Sequence, residues 1–436
     1  MHKKRTSTLL KLLVSTAAAG LILMGVSCRT GGTAKIEETP GGVIGAKTIT
    51  GTQETVKTLV YVEVNDHNPL NAGSYVLEDG TYLFDYVVLF AANIRNRDCA
   101  EAGEGCTESG PHVHFNPNIR HILENRDTYI KPLQDKGIKV LLGLLGDHDG
   151  IGFATMTDEE REIFVADVKK DVEAYGLDGV DFDDEWASKE DWDNWQDDYG
   201  TIAPDSIWVY PSSSWSWPTS TTVYRNPAMG IEAGNGTLTA PSDEELTQMW
   251  KESGENYFKT IEATRKALGP DTIIGFYEYN SGRYITAEGE ANGNATTAKL
   301  EAAIDIAVQP WYGKYLDTSA NGLSRSIYAP FGMDLGGNAY AQGDASLPPI
   351  AVAGDENARD TIRDYAARFK QAADAGAAYT MLFFYNLNPS DHLLKRESAD
   401  EVPSVAQHEY ISIFTDLVFG QKCVLNTEGG SYQKDW

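Results

Sequence analysis

The chain has 436 residues, 42% of them hydrophobic, with 64 acidic against 36 basic side chains and a formal net charge of −28. That balance excludes nucleic acid and other polyanions as partners, because no basic face able to release counterions can be assembled; a neutral or cationic ligand is expected. The length exceeds one ordinary domain, yet a single α/β barrel with insertions reaches it.

At the N-terminus, His2, Lys3, Lys4 and Arg5 precede an apolar run from Leu9 to Met24 that is too short and too rich in small residues for a good membrane span. The run ends in Met24-Gly25-Val26-Ser27-Cys28, which resembles the lipobox of bacterial lipoproteins. On that reading residues 1–27 are a signal peptide. Cleavage before Cys28 and lipidation of its thiol would anchor the mature chain to the outer membrane, facing the periplasm or the cell surface; the alternative is an ordinary secretory signal with Cys28 incidental. Residues 28–54, rich in Gly, Thr and Glu, predict a flexible tether, and the globular domain is expected over 55–420 with a tail from 421 to 436. Cys99 and Cys106 lie close enough in one loop to pair in an oxidising compartment, leaving Cys423 single. The cysteines lack metal-ligand spacing, and no cofactor is expected.

Apolar runs predict strands at 56–64, 82–92, 138–146, 179–185, 272–279, 303–309 and 378–385. One further strand falls at 326–333 or 349–352; the first is favoured, because 355–375 then forms one amphipathic helix ended by Gly376. Other helical patterns cover 158–175, with Ile163, Phe164, Val168 and Val172 on one stripe, and 243–268. This alternation predicts a parallel sheet covered by helices, and the strand count predicts a (β/α)8 TIM barrel with its site at the strand C-terminal ends. A doubly wound open sheet is the alternative, but no Gly-rich phosphate turn follows the first strand.

The stretch Tyr175-Gly-Leu-Asp-Gly-Val-Asp-Phe-Asp-Asp-Glu-Trp-Ala187 carries five carboxylates within eight residues. On a strand, Asp181, Asp183 and Glu185 share one face, while Phe182 and Asp184 take the other. Crowding three carboxylates raises the cost of ionising all of them, so one is expected to stay protonated near neutral pH, as a glycosidase acid requires. A calcium site is disfavoured because the EF-hand pattern with its glycine is absent. A merely solvated acidic face is disfavoured by Leu177, Val180 and Phe182 on either side.

Asp178-x-x-Asp181-x-Asp183-x-Glu185 resembles the DxxDxDxE signature of glycoside hydrolase family 18, and its surroundings are similar to the bacterial endo-β-N-acetylglucosaminidases of the H and F type. Phe90-Ala91-Ala92-Asn93-Ile94, Gly137-Ile138-Lys139-Val140-Leu141-Leu142, Pro310-Trp311-Tyr312-Gly313 and Tyr385-Asn386-Leu387 resemble other strands of those enzymes in the same order, so the likeness covers about Thr55 to Gly420. It implies hydrolysis of the GlcNAc-GlcNAc core of asparagine-linked glycans by a monomer, with Glu185 as acid, Asp183 orienting the substrate acetamide, and Asp181 sharing a proton with Asp183. Asp178 is expected to support the strand and its loop. Gln309 and Trp311 share one face of the sixth strand; Trp311 stands where the family's Tyr is expected, and Tyr312 is the candidate hydroxyl for the acetamide carbonyl. Asn93, Trp186 and Tyr385 are further sugar-contact candidates, though Tyr385 equally suits plain packing. Between Trp186 and Ser242 an aromatic-rich insertion, including Trp215 and Trp217, reads as a glycan-binding wall or as a self-packed subdomain. Chitinase activity is the near alternative, and non-catalytic glycan binding the distant one.

Overall fold

The computed structural model describes residues 42–53, 55–65, 67–97, 109–146, 152–183, 243–277, 295–308 and 409–426, the pairs 221–222, 237–238, 326–327 and 383–384, scattered positions from 360 to 370, and 432 and 434–436. All of them belong to the compact unit Glu37–Trp436.

Nine strands form the central sheet: β1 Leu59–Glu63, β2 Tyr86–Arg97, β3 Gly110–His114, β4 Lys139–Leu145, β5 Gly179–Asp183, β6 Ile273–Tyr277, β7 Ile306–Val308, β8 Ser326–Ile327 and β9 Phe383–Phe384. Eight run parallel in the order β8-β7-β6-β5-β4-β2-β1-β9. Each of the eight overlaps one of the expected strands; of the two candidates for the ambiguous one, 326–333 contains the strand Ser326–Ile327, while 349–352 lies outside the described residues. The last strand pairs with the first, while among the described residues no pairing joins β8 to β9. The sequence did not predict β3, which folds back antiparallel along Asn93–Arg97 of β2.

β1, β4, β5 and β6 and the paired part of β2 are buried on both faces, as parallel strands beneath helices must be. Outward-pointing Val60, Val62, Val87, Leu89, Val140, Leu142, Val180, Phe182, Ile274 and Phe276 join the main core with the helices. Inward-pointing Leu59, Tyr61, Val88, Leu141, Tyr277 and Ile306 form a second, smaller cluster. Helix Asp158–Tyr175 has the predicted limits because both ends are capped. Thr157 and Glu160 make a reciprocal capping box, three acidic residues in the first turn complement the helix dipole, and Gly176 closes the last turn at φ 61°. Its Phe164, Val168 and Val172 are buried against the sheet.

Three aspartates hold the N-terminal end of the sheet in register. Asp85, Asp178 and Asp305 each stand one residue before a strand, and each accepts a backbone N–H at or next to the start of a neighbouring strand: Thr58 at 2.7 Å, Val140 at 2.9 Å and Ile274 at 2.9 Å. Each also has a cation, Lys47 at 2.8 Å, Lys139 at 2.8 Å and Arg265 respectively. Asp178 therefore sits at the end of the strand opposite Asp183 and performs the supporting role expected of it.

Two expected boundaries are corrected. Within the predicted tether, Lys47 and Ile49 are both 1% exposed, and Lys47 is ion-paired with Asp85, so the folded unit includes residues from Gly42 onward. The predicted tail is also integral: Cys423–Leu425 pairs with Tyr75–Leu77, and Asn71 exchanges hydrogen bonds with the backbone of Tyr432. Composition misled in both places, because short polar segments can pack when specific partners wait for them.

Candidate active site

The alternation on β5 is as the sequence predicts. Phe182 points outward, fully buried against Phe153 and Tyr257, while Asp181 (0% exposed) and Asp183 (3%) take the inner face. The register sets these two in successive rungs across the sheet. The lower rung runs Gly143, Asp181, Gly275, Ile306, and the upper runs Asn93, Leu145, Asp183, Tyr277. Parallel strands place the higher-numbered rung nearer the C-terminal ends, where barrel-type enzymes assemble their sites.

The lower rung is built around Asp181. Its Oδ2 accepts a hydrogen bond from the Tyr61 hydroxyl at 2.6 Å, and its Oδ1 has no partner among the described residues. Both sheet neighbours of Asp181 are glycines, and a Cβ on Gly275 would lie 2.0 Å from Oδ1. Only a residue without a side chain admits the carboxylate there. Tyr61 is in turn fixed edge-on by Phe90 at 5.9 Å and Tyr277 at 6.1 Å.

Burial pushes the Asp181 carboxyl up to about 7, against the Tyr61 hydrogen bond, which draws it down. Asp181 is thus shifted toward the protonated form, and the leading cause is desolvation rather than crowding by neighbouring carboxylates. Protonated, Asp181 carries no uncompensated buried charge; ionised, it does. Burial therefore favours the protonated form, which leaves Asp181 with a proton to share with a carboxylate one rung above.

Asn93 lies on the upper rung, and its side-chain amide donates to the carbonyl of Gly146 at 3.1 Å, fixing the chain as it leaves β4. Glu185, Gln309, Trp311, Tyr312, Tyr385, Trp186, Trp215, Trp217, Cys28, Cys99 and Cys106 lie outside the described residues. The structure thus brings Asp181, Asp183 and Asn93 to one face. Sequence reasoning missed Tyr61, Gly143, Gly275 and Tyr277. Each had a signal: a hydroxyl-bearing ring at an inward position of an otherwise aliphatic strand, and glycines inside strand patterns, which mark close approach of other atoms.

No family model matches the chain. Among curated proteins it is similar to endo-β-N-acetylglucosaminidase F1 of Elizabethkingia meningoseptica, 44% identical over 142 residues, which are 32% of this chain and 40% of that protein. The matched part is thus well under two thirds of that relative's length. It is also similar to an endo-β-N-acetylglucosaminidase of Flavobacterium sp., 30% identical over 287 residues, covering 66% of this chain and 68% of the relative. Among solved structures, a crystal structure of Bacteroides thetaiotamicron EndoBT-3987 in complex with a Man9GlcNAc2Asn substrate aligns with a TM-score of 0.48 at 22% identity, over 89% of this chain and 71% of that one.

Proposed function

The chain belongs to the endo-β-N-acetylglucosaminidases of glycoside hydrolase family 18, and from that premise we propose that it hydrolyses the β-1,4 bond between the two core GlcNAc residues of asparagine-linked glycans, with retention and with the substrate's own acetamide as nucleophile. The observation that carries this reading is Asp181: a fully buried carboxyl, hydrogen-bonded to Tyr61 and pushed up by its burial, one rung below Asp183 on the inner face.

In this mechanism Glu185 gives its proton to the glycosidic oxygen as the bond to the anomeric carbon breaks. The 2-acetamido carbonyl oxygen attacks that carbon, forming a cyclic oxazolinium ion. Asp183 holds the acetamide nitrogen and offsets the developing positive charge, and the proton shared with Asp181 sets how much negative charge Asp183 presents. Water, deprotonated by the Glu185 carboxylate, then opens the ring and restores the acid. Tyr312 and Gln309 hold the acetamide carbonyl, while Trp311, Tyr385 and Asn93 line the sugar subsite. Trp186, Trp215 and Trp217 offer ring faces to the outer glycan. No cofactor enters any step.

The order of the eight parallel strands, with the last paired to the first, supports closure into a (β/α)8 barrel. We further propose that the mature chain is a monomer held to the outer membrane by lipid on Cys28, as the lipobox-like Met24–Cys28 supports.

Mass spectrometry of a high-mannose and a complex-type glycoprotein, incubated with the soluble chain from Lys35 onward and with its Glu185→Gln variant, tests the function. One GlcNAc left on asparagine by the wild type, and an intact glycan with the variant, assigns bond and acid together. Release of GlcNAc oligomers from chitin without deglycosylation makes it a chitinase, and binding without turnover makes it a glycan-binding protein.

A further inference from the structure

β1 presents a carboxylate that this chemistry leaves unused. Along the strand Leu59, Tyr61 and Glu63 share one face by alternation, and the first two belong to the inner cluster. In the sheet β1 and β5 are separated by β2 and β4, which on a flat sheet would put them roughly 14 Å apart. Tyr61 Oη nevertheless lies 2.6 Å from Asp181 Oδ2. The sheet therefore curls until inner side chains of β1 and β5 meet. Both strands run the same way, so one step up Glu63 follows Tyr61 as Asp183 follows Asp181. The same step carries both carboxylates toward the C-terminal end of the sheet, on its inner face.

Glu63 is half-buried and its orientation is set: Oε1 accepts the N–H of Asn65 at 2.9 Å. Asn65 is itself clamped. Its side-chain oxygen accepts from the amides of Asn116 at 3.1 Å and Asn118 at 2.8 Å, and its carbonyl accepts from Lys434 Nζ at 2.8 Å. Lys434 and the Trp436 indole N–H both bond Asn118, at 2.8 and 3.1 Å, and the Trp436 ring stacks on His121 at 5.5 Å. A binding group at the rim of a site needs such bracing.

We propose that Glu63 is a sugar-binding residue, whose carboxylate accepts hydrogen bonds from hydroxyls of the ring seated above Asp183, and that Asn65, with Lys434 and Trp436 behind it, holds it in position. This rests on the glycan-cleaving reading above. A carboxylate suits the task, because it offers several lone pairs to a neutral polyol without competing donors.

Steady-state kinetics on a high-mannose glycopeptide, with thermal melts alongside, test the proposal in Glu63→Ala, Glu63→Gln, Lys434→Met and the double variant Glu63→Ala/Lys434→Met. Glu63→Ala should raise KM about tenfold with kcat changed less than about threefold, as loss of uniform binding does. Glu63→Gln should recover part of the loss, because its amide oxygen still accepts. Lys434→Met should raise KM by about threefold alone and add nothing to Glu63→Ala, since both act through one group. An unchanged KM in Glu63→Ala, or independent additive effects, overturns the proposal. If the wild type leaves the glycopeptide intact, the glycosidase reading has failed, and calorimetric titration of the same glycopeptide judges Glu63 separately. Weaker binding by Glu63→Ala than by wild type supports its role; equal binding, or none by either chain, overturns it.

Discussion

The hydroxyl of Tyr61 and the carboxylate of Asp181, 120 positions apart in the chain, meet at 2.6 Å inside the curl of the sheet. That contact fixes two things at once: how far the sheet must bend, and how strongly the most buried acid of the site holds its proton.

Tyr61→Phe removes the donor and keeps the ring that packs against Phe90 and Tyr277. The hydrogen bond holds the Asp181 pKa down against burial, so its loss should move the titration further above about 7. A carboxyl-carbon NMR titration reads this directly, and hydrolysis should slow by roughly 10- to 100-fold. A resonance that titrates where it does in the wild type would show that Tyr61 does not govern Asp181.

Asp181 also makes stability depend on pH. Its folded-state pKa is raised, so above the ordinary carboxylate range and up to about pH 7 the folded chain keeps a proton that the unfolded chain has released. The stability contributed by that proton is full below about pH 4 and disappears as pH rises through about 7. Asp181→Asn has nothing to release, so its melting temperature relative to wild type should climb between about pH 4 and 7, by several degrees, and level off above that. A difference that stays flat across that window excludes a buried, titrating Asp181.

The glycines of β5 and β6 should separate space from conformation. A Cβ on Gly275 meets Asp181 Oδ1 at 2.0 Å, and one on Gly179 meets the Ile273 carbonyl at 1.9 Å. Gly275→Ala should therefore abolish activity by displacing the carboxylate, and Gly179→Ala should cost about 3 kcal/mol or more by forcing two strands apart. Gly269→Ala is the control: at φ +86° with nothing within 4 Å, it should cost only about 1 kcal/mol. Comparable losses from all three in denaturant titrations would contradict the crowding argument.

Asp178 belongs to the same acidic motif, but its bonds go to Val140 N, Gln134 Nε2 and Lys139 Nζ, all at the far end of the strand. Asp178→Ala should cost about 2 to 3 kcal/mol, chiefly from the orphaned backbone N–H, since the Lys139 ion pair is half exposed and contributes little. KM and the pH profile should stay as in the wild type. A loss of turnover at unchanged stability would move Asp178 into the chemistry.

The parts of this fold that sequence revealed are those governed by local period. Asp181, Asp183 and Phe182 took their faces because strand alternation leaves no choice, and the helix at 158–175 began and ended at its caps because Thr157, Glu160 and Gly176 satisfy the exposed backbone groups. What escaped was set by distant partners. Tyr61 becomes part of the site only through the curl of the sheet, β3 exists because β2 overshoots the sheet's end and needs a partner, and Lys47 is buried because Asp85 awaits it. The cause of the raised Asp181 pKa is hidden from the sequence for the same reason: spacing along one strand suggests charge crowding, whereas depth of burial depends on every strand around it.

β1 is bonded on one edge by β2, which follows it closely, and on the other by Phe383–Phe384. Tyr75–Leu77 likewise waits for Cys423–Leu425. A chain delivered N-terminus first therefore carries Leu59 and Val60, fully buried in the finished fold, on an open apolar edge until most of the sequence has arrived. Open edges recruit foreign strands, and pairings this distant in sequence form slowly. The vulnerable moment in the life of this protein is thus its biogenesis, and chains ending before Phe383 should aggregate through β1 instead of accumulating as folded fragments.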